Sequence, residues 1–216
     1  MMLINRFIIF VFTTFLLCGF VCAKAGEVSS TKSAVNSYKV KTSVNKRSLE
    51  VSADRYFYEG IEASDTSKKE ALLSKALEKY MLLLKLRPND VVTCTQIGVI
   101  HDNLNRPAIA KDYFLRALNL DNLNPYANFY YAEYFFAKKE YQNALNYYLI
   151  AYNNGYDKYF PVNIKLATVY EKLGDIEKAK KYYIAASKQN PSQNGLRAKI
   201  ESLGKVYYSR SDYYRK

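Results

Sequence analysis

The sequence predicts an all-α fold, a solenoid of about four helix pairs closed by a C-terminal capping helix. Three observations carry this prediction. A small residue followed four positions later by a larger aromatic recurs as Ala76/Tyr80, Ala110/Phe114, Ala144/Tyr148 and Ala179/Tyr183, at spacings of 34, 34 and 35 residues. A second small residue recurs upstream of each pair, as Gly60, Gly98, Ala132 and Ala167. Helix punctuation falls between these positions: Asn124-Pro125 is a cap followed by a proline at the first helical position, and Gly155 and Gly174 stand where helices should stop. A single helix pair cannot bury its own apolar face, so this period implies stacked pairs that share one core.

From the N-terminus, Arg6 precedes a charge-free apolar run, Phe7–Ala23, followed by small residues. This is the pattern of an export signal. Cleavage fits Ala23-Lys24-Ala25 before Gly26, or Val21-Cys22-Ala23 before Lys24, and we assign residues 1–25 to the signal. An uncleaved anchor helix over 7–23 is the alternative. Neither Cys18 nor Cys22 lies in a lipid-attachment pattern, and after cleavage Cys94 would be the sole cysteine, which excludes an internal disulfide. Residues 26–52 are rich in Ser, Thr, Lys and Val without a helical apolar stripe. They read as a flexible basic linker, with a weak strand over 38–44 as the alternative. The repeat units follow at 53–90, 91–124, 125–159 and 160–193, with Ser67-x-x-Glu70 as a capping box for the second helix of unit one. Leu196, Ile200 and Leu203 give the stripe of a capping helix over 194–204. Residues 205–216 lack such a stripe and form a basic, aromatic tail.

The units resemble the tetratricopeptide repeat (TPR), whose template is W-x2-L-G-x2-Y, then A-x3-F, then P. Asn163-x2-Leu166-Ala167-x2-Tyr170 with Ala179, Tyr183 and Pro191 is the best match. Unit two reads Cys94-x2-Ile97-Gly98-x2-His101, unit three Asn128-x2-Tyr131-Ala132-x2-Phe135, and unit one, less regular, Tyr56-x2-Glu59-Gly60-x2-Ala63. The template's Trp is absent from all four. The resemblance covers about two-thirds of the chain and implies a right-handed α-solenoid whose first helices line a concave, peptide-binding side.

The composition excludes several classes. At 49% apolar and 24% charged residues the chain is neither wholly disordered nor collagen-like. The net charge of +12 suggests nucleic acid or an anionic surface as partner, but residues 53–204 carry only +4 of it, while 24–52 carry +4 and 205–216 carry +3. The one histidine, His101, occupies a TPR packing position. No cysteine–histidine cluster, phosphate-binding glycine loop or nucleophile elbow is present, so we assign no catalytic residue, metal or cofactor and expect no enzyme activity.

On the concave side the resemblance places Phe57 and Ile61 of unit one, Val92, Thr95, Val99 and Asp102 of unit two, Tyr126, Phe129, Glu133 and Phe136 of unit three, and Ile164, Thr168 and Glu171 of unit four. The aromatic surplus of unit three is expected to mark the partner site. Tighter self-packing or a self-association face is the competing reading. TPR domains that bind chaperone tails read a carboxylate with paired Lys, Asn and Arg. The stripe here has no such clamp, so the expected ligand is an apolar or aromatic-rich peptide or helix of another protein. Two function classes lead: an exported protein-binding scaffold of the periplasm, cell envelope or secreted space, and an envelope-associating protein whose basic flanks bind anionic lipid or cell-wall polymer. Nucleic-acid binding through the tail (Tyr207, Tyr208, Arg210, Tyr213, Tyr214, Arg215) is disfavoured by export.

Overall fold

A computed structural model describes the backbone of residues 31–192 and 195–203 and the side chains of 46–192 and 195–203. The signal segment 1–25 and the tail 205–216 lie outside the described residues. The chain divides into two compact units, Met1–Val44 and Asn45–Lys216. In the first, the described residues form the N-terminal part of helix α1 (Thr31–Glu62). The second holds the rest of α1, then α2 (Thr66–Leu86), α3 (Val91–Asn103), α4 (Pro107–Leu120), α5 (Pro125–Ala137), α6 (Tyr141–Ala151), a π-helical turn (Tyr152–Tyr156), α7 (Phe160–Leu173), α8 (Ile176–Gln189) and α9 (196–203). Among the described residues there is no strand, and no helix is long and apolar enough to cross a membrane.

Two N-terminal expectations are corrected. The segment 26–52, expected as a flexible linker, is helical from Thr31 onward, including 38–44. Leu49, Ala53 and Phe57 form a stripe of helical spacing that straddles the expected boundary, and all three pack into the first core cluster. The Glu50 carboxylate accepts from Arg87 Nη2 (3.0 Å) and ties this turn to the end of α2. The second helix of unit one opens at Thr66, before the expected Ser67-x-x-Glu70 box, because Asp65 is its N-cap and accepts from the Lys68 amide (2.7 Å).

Three further starts use the same device, while α4, α6 and α7 open without a side-chain cap. Asp90, Asn124 and Asp175 accept from amides in the first turns of α3, α5 and α8. The turns inside units two, three and four are also alike. Asn105 (φ 56°), Lys139 (φ 62°) and Gly174 (φ 84°) all adopt the left-handed conformation. The next amide then donates back across the turn, Arg106 to His101 (2.8 Å), Glu140 to Phe135 (3.0 Å) and Asp175 to Tyr170 (2.9 Å). These are three Schellman turns in repeat register.

The small residues set the distance between paired helices. A Cβ added at Gly98 would lie 3.0 Å from the Phe114 ring, so α3 and α4 meet there with no space to spare. Ala132 and Ala167, fully buried, occupy the same register in α5 and α7. The missing Trp is replaced in units three and four by a fully buried Asn that fastens the loop before its helix. Asn128 Nδ2 donates to the carbonyls of Asn122 (2.9 Å) and Asn124 (2.8 Å), and Asn163 Nδ2 to that of Asp157 (2.9 Å). The core forms two clusters, one through units one, two and α5, the other through units three, four and α9. Tyr130, Phe135 and Tyr147 pack against both. Leu196 and Leu203 of α9 are buried against the second cluster.

Candidate functional site

The first helices of successive units, α1, α3 and α5, present a cleft of about 310 Å³. Its apolar floor is Phe57 (2% exposed), Val99 and Phe114, and its rim is Tyr58 (53% exposed), Ile61 (37%) and Tyr130. The polar groups are Asp102, Asn103 and Glu133, while Tyr134 and Ala137 complete the far wall. Several of these side chains are fixed by their neighbours. Phe57 packs edge-on to Tyr58 (5.2 Å) and to Tyr80 (6.2 Å), and Phe114 lies 5.7 Å from Tyr134, whose hydroxyl donates to the Pro107 carbonyl (3.1 Å). Asn103 Nδ2 donates to the Val99 carbonyl (3.0 Å). Burial pushes the Tyr130 hydroxyl up to about 12, so it remains a donor at any physiological pH.

The carboxylates of this face fall into two groups. In units three and four a tyrosine of the second helix and a lysine of the next first helix share one acid. Glu133 accepts from the Tyr148 hydroxyl and from Lys165 Nζ (2.5 Å). Glu171 accepts from the Tyr183 hydroxyl (3.1 Å) and from Lys199 Nζ (2.6 Å). Burial, reinforced by Glu133, holds the Tyr148 hydroxyl far above its usual range, so it stays protonated and donates. In unit one Tyr80 donates to Asp54 (2.6 Å). Unit two has Phe114 at the tyrosine position. Its acid, Asp102, has no hydrogen-bond or ion-pair partner for its carboxylate among the described residues. Burial raises the Asp102 carboxyl above the usual carboxylate value, and Lys138 partly opposes this.

Five of the thirteen residues expected on the concave side line the cleft: Phe57, Ile61, Val99, Asp102 and Glu133. Thr168 and Glu171 take part in the Tyr183 contacts of unit four, and Ile164 packs on the second core cluster. Phe136 is half-buried against Tyr141 with Lys165 above its ring (5.1 Å). Tyr126 packs on Tyr130 (4.7 Å), Val92 is exposed outside the cleft, and Thr95 is fully buried with its hydroxyl donating to the Val91 carbonyl. Phe129, expected to anchor a partner, is 7% exposed and packs among Tyr130, Tyr148, Tyr156 and Tyr159. The competing self-packing reading describes Phe129 better, because the π-helical turn after α6 carries Tyr156 over its ring.

Six lining residues fall outside the thirteen: Phe114 of α4, and Tyr58, Asn103, Tyr130, Tyr134 and Ala137 of the first helices. Each of the last five directly follows a residue expected on the concave side, so a stripe one position wider includes them. His101 is buried and stacked on Tyr113 (13° between planes, 5.7 Å). Burial and Arg106 hold it below the usual histidine value, consistent with a packing role.

These features define a class, the helix-pair α-solenoid that serves as a protein–protein interaction scaffold. A tetratricopeptide-repeat family model matches residues 95–157, and a second matches residues 160–193. The chain is a tetratricopeptide-repeat protein. Solved structures of similar fold include MamA (21% identity over 70% of this chain and 95% of its own, TM-score 0.51). PilF of Pseudomonas aeruginosa is also similar (21%, 76% and 72%, 0.55). So is the first TPR domain of Spaghetti (RPAP3) bound to an HSP90 peptide (16%, 55% and 93%, 0.50). At these identities the likeness is one of fold. The comparison with curated proteins finds no match.

Proposed function

We propose that the chain is an exported, non-catalytic scaffold that holds a short segment of a partner protein in the cleft between α1, α3 and α5. The observation that carries this reading is the cleft itself. It is an aromatic-walled depression of about 310 Å³ built by helices of three units, with Tyr58 and Ile61 open at its rim. A depression of this size lies at the lower end of ligand-site volumes and has room for one or two side chains of an extended peptide. The Spaghetti (RPAP3) domain, similar in fold, holds a peptide of its partner, which supports the mode though not the partner. Export rests on the Arg6 start and the apolar run Phe7–Ala23.

Partner capture with the full chain tests the binding reading. Tyr58→Ala with Ile61→Ser changes exposed rim residues and leaves the core intact, whereas Leu120→Glu alters an exposed residue of α4 outside the cleft. The rim variant is expected to lose the partner and the α4 variant to keep it. Equal recovery by both would remove the cleft from the account. Cell fractionation and sequencing of the mature N-terminus test export. A start at Gly26 or Lys24 outside the cytosol is expected, and an intact Met1 in the cytosol would contradict it.

A further inference from the structure

We infer that the cleft is selective for a cationic side chain, the Lys or Arg of an otherwise apolar partner segment, and that Asp102 is its anchor. The inference rests on the binding role proposed for the cleft and adds the chemistry of the occupant. The argument begins from the repeat register. Asp102 stands four residues after Gly98, as Glu171 stands four residues after Ala167. Glu171 is satisfied by Tyr183 and Lys199, and Glu133 of the neighbouring unit by Tyr148 and Lys165. At Asp102 both supports are missing. The tyrosine is replaced by Phe114, which has no hydroxyl, and no lysine reaches the carboxylate. The nearest candidate, Lys138, is committed elsewhere: its Nζ donates to the Tyr134 hydroxyl (2.6 Å) and lies 3.9 Å from that ring's centroid.

The Asp102 carboxylate lines the cleft and its oxygens stay open to its space, so an ammonium or guanidinium can reach them, and the partly buried setting strengthens that attraction over its value in bulk water. The walls favour the same ligand. The rings of Tyr58 and Tyr130 stand at the rim above the Phe57 floor, and aromatic faces attract an ammonium or guanidinium. The second acid of the cleft, Glu133, is already paired, which leaves Asp102 as the lining carboxylate without an ion pair, its charge only partly offset by Lys138. A free carboxylate end, by contrast, would meet Asp102 directly and be repelled.

The test uses the full chain and three labelled nonapeptides that differ only at the centre, with Arg, Gln or Glu flanked by Leu and Phe, followed by fluorescence anisotropy. The Arg peptide is expected to bind about tenfold tighter than the Gln peptide. Asp102→Asn should erase that difference, and Asp102→Lys should reverse the order of the Arg and Glu peptides. The reversal is a gain of binding that a misfolded variant could not show. Equal affinity of the Arg and Gln peptides, lost together in Tyr58→Ala/Ile61→Ser, would overturn the cationic anchor and keep the binding cleft. No binding of any peptide at about 1 mM would overturn both. Arg-peptide affinity that rises when Arg210 and Arg215 are both changed to Gln would assign the cleft to the chain's own tail and overturn the partner assignment.

Discussion

Units two and four place the same residue types at the same repeat positions and arrive at opposite surfaces. In unit four the second-helix aromatic is Tyr183, the acid is Glu171, and Lys199 from the following helix closes the set. In unit two the aromatic is Phe114, the acid is Asp102, and no lysine arrives, so the face opens into a cleft. One hydroxyl and one ammonium distinguish the paired surface of unit four from the open cleft beside unit two. In a solenoid every unit repeats the same scaffold, so an interaction left incomplete in one unit sets that unit's surface apart from its neighbours.

The largest effect is expected where the finished half is broken. Phe129→Ala removes a ring held by four tyrosines and should lower unfolding free energy by about 3 kcal/mol, read by urea denaturation. A loss under about 1 kcal/mol would mean that Phe129 belongs to the exposed face after all. Glu133→Gln removes the charge and one of the two acceptor oxygens that Lys165 and Tyr148 share. It should cost about 1–2 kcal/mol, tempered by the partial exposure of the pair. The same experiment in unit two should go the other way. The folded Asp102 carboxyl is raised above its unfolded value, so its ionisation opposes folding, and this penalty is absent below the unfolded value and grows as pH rises through the folded one. Asp102→Asn should therefore be more stable than the parent at neutral pH, with the advantage fading as the solution is acidified through the carboxylate range. Phe114→Tyr sharpens the comparison from the opposite side. It gives unit two the hydroxyl of unit four, and should draw the Asp102 carboxyl back down in an NMR titration while weakening binding of the Arg-centred peptide.

The smallest effect concerns the turns. Lys139 holds the left-handed conformation that Gly174 adopts without strain at the matching position. Lys139→Gly should stabilise the chain by about 0.5 kcal/mol, the relief of backbone strain exceeding the added freedom of the unfolded chain. A destabilised variant would show that the Lys139 side chain contributes more than its backbone costs.

The fold was readable because the repeat requires small residues at close helix contacts and aromatics between units, and both leave a periodic mark. The left-handed turn at Lys139 becomes visible only when aligned with Gly174, since lysine, unlike Asn105 in unit two, carries no signal for that conformation. The role of Asn128 and Asn163 was hidden for another reason: their partners are backbone carbonyls of the preceding loops, which residue identity does not reveal. The cleft was readable in part. Helix α3 is buried from Thr93 through His101 on all sides, so periodicity has no exposed stripe to report there. Aromatic abundance then drew attention to unit three, where Phe129 fills the core. The deciding difference, Phe114 in place of a tyrosine, is a missing atom and gains meaning only beside Glu171 and its partners.

The most direct test of where this protein receives its partner is amide hydrogen exchange of the full chain with and without the Arg-centred peptide. The account predicts slowed exchange over 57–61, 99–103 and 130–137, with 176–189 unchanged. Protection over 176–189, or none over 99–103 at saturating peptide, would contradict it.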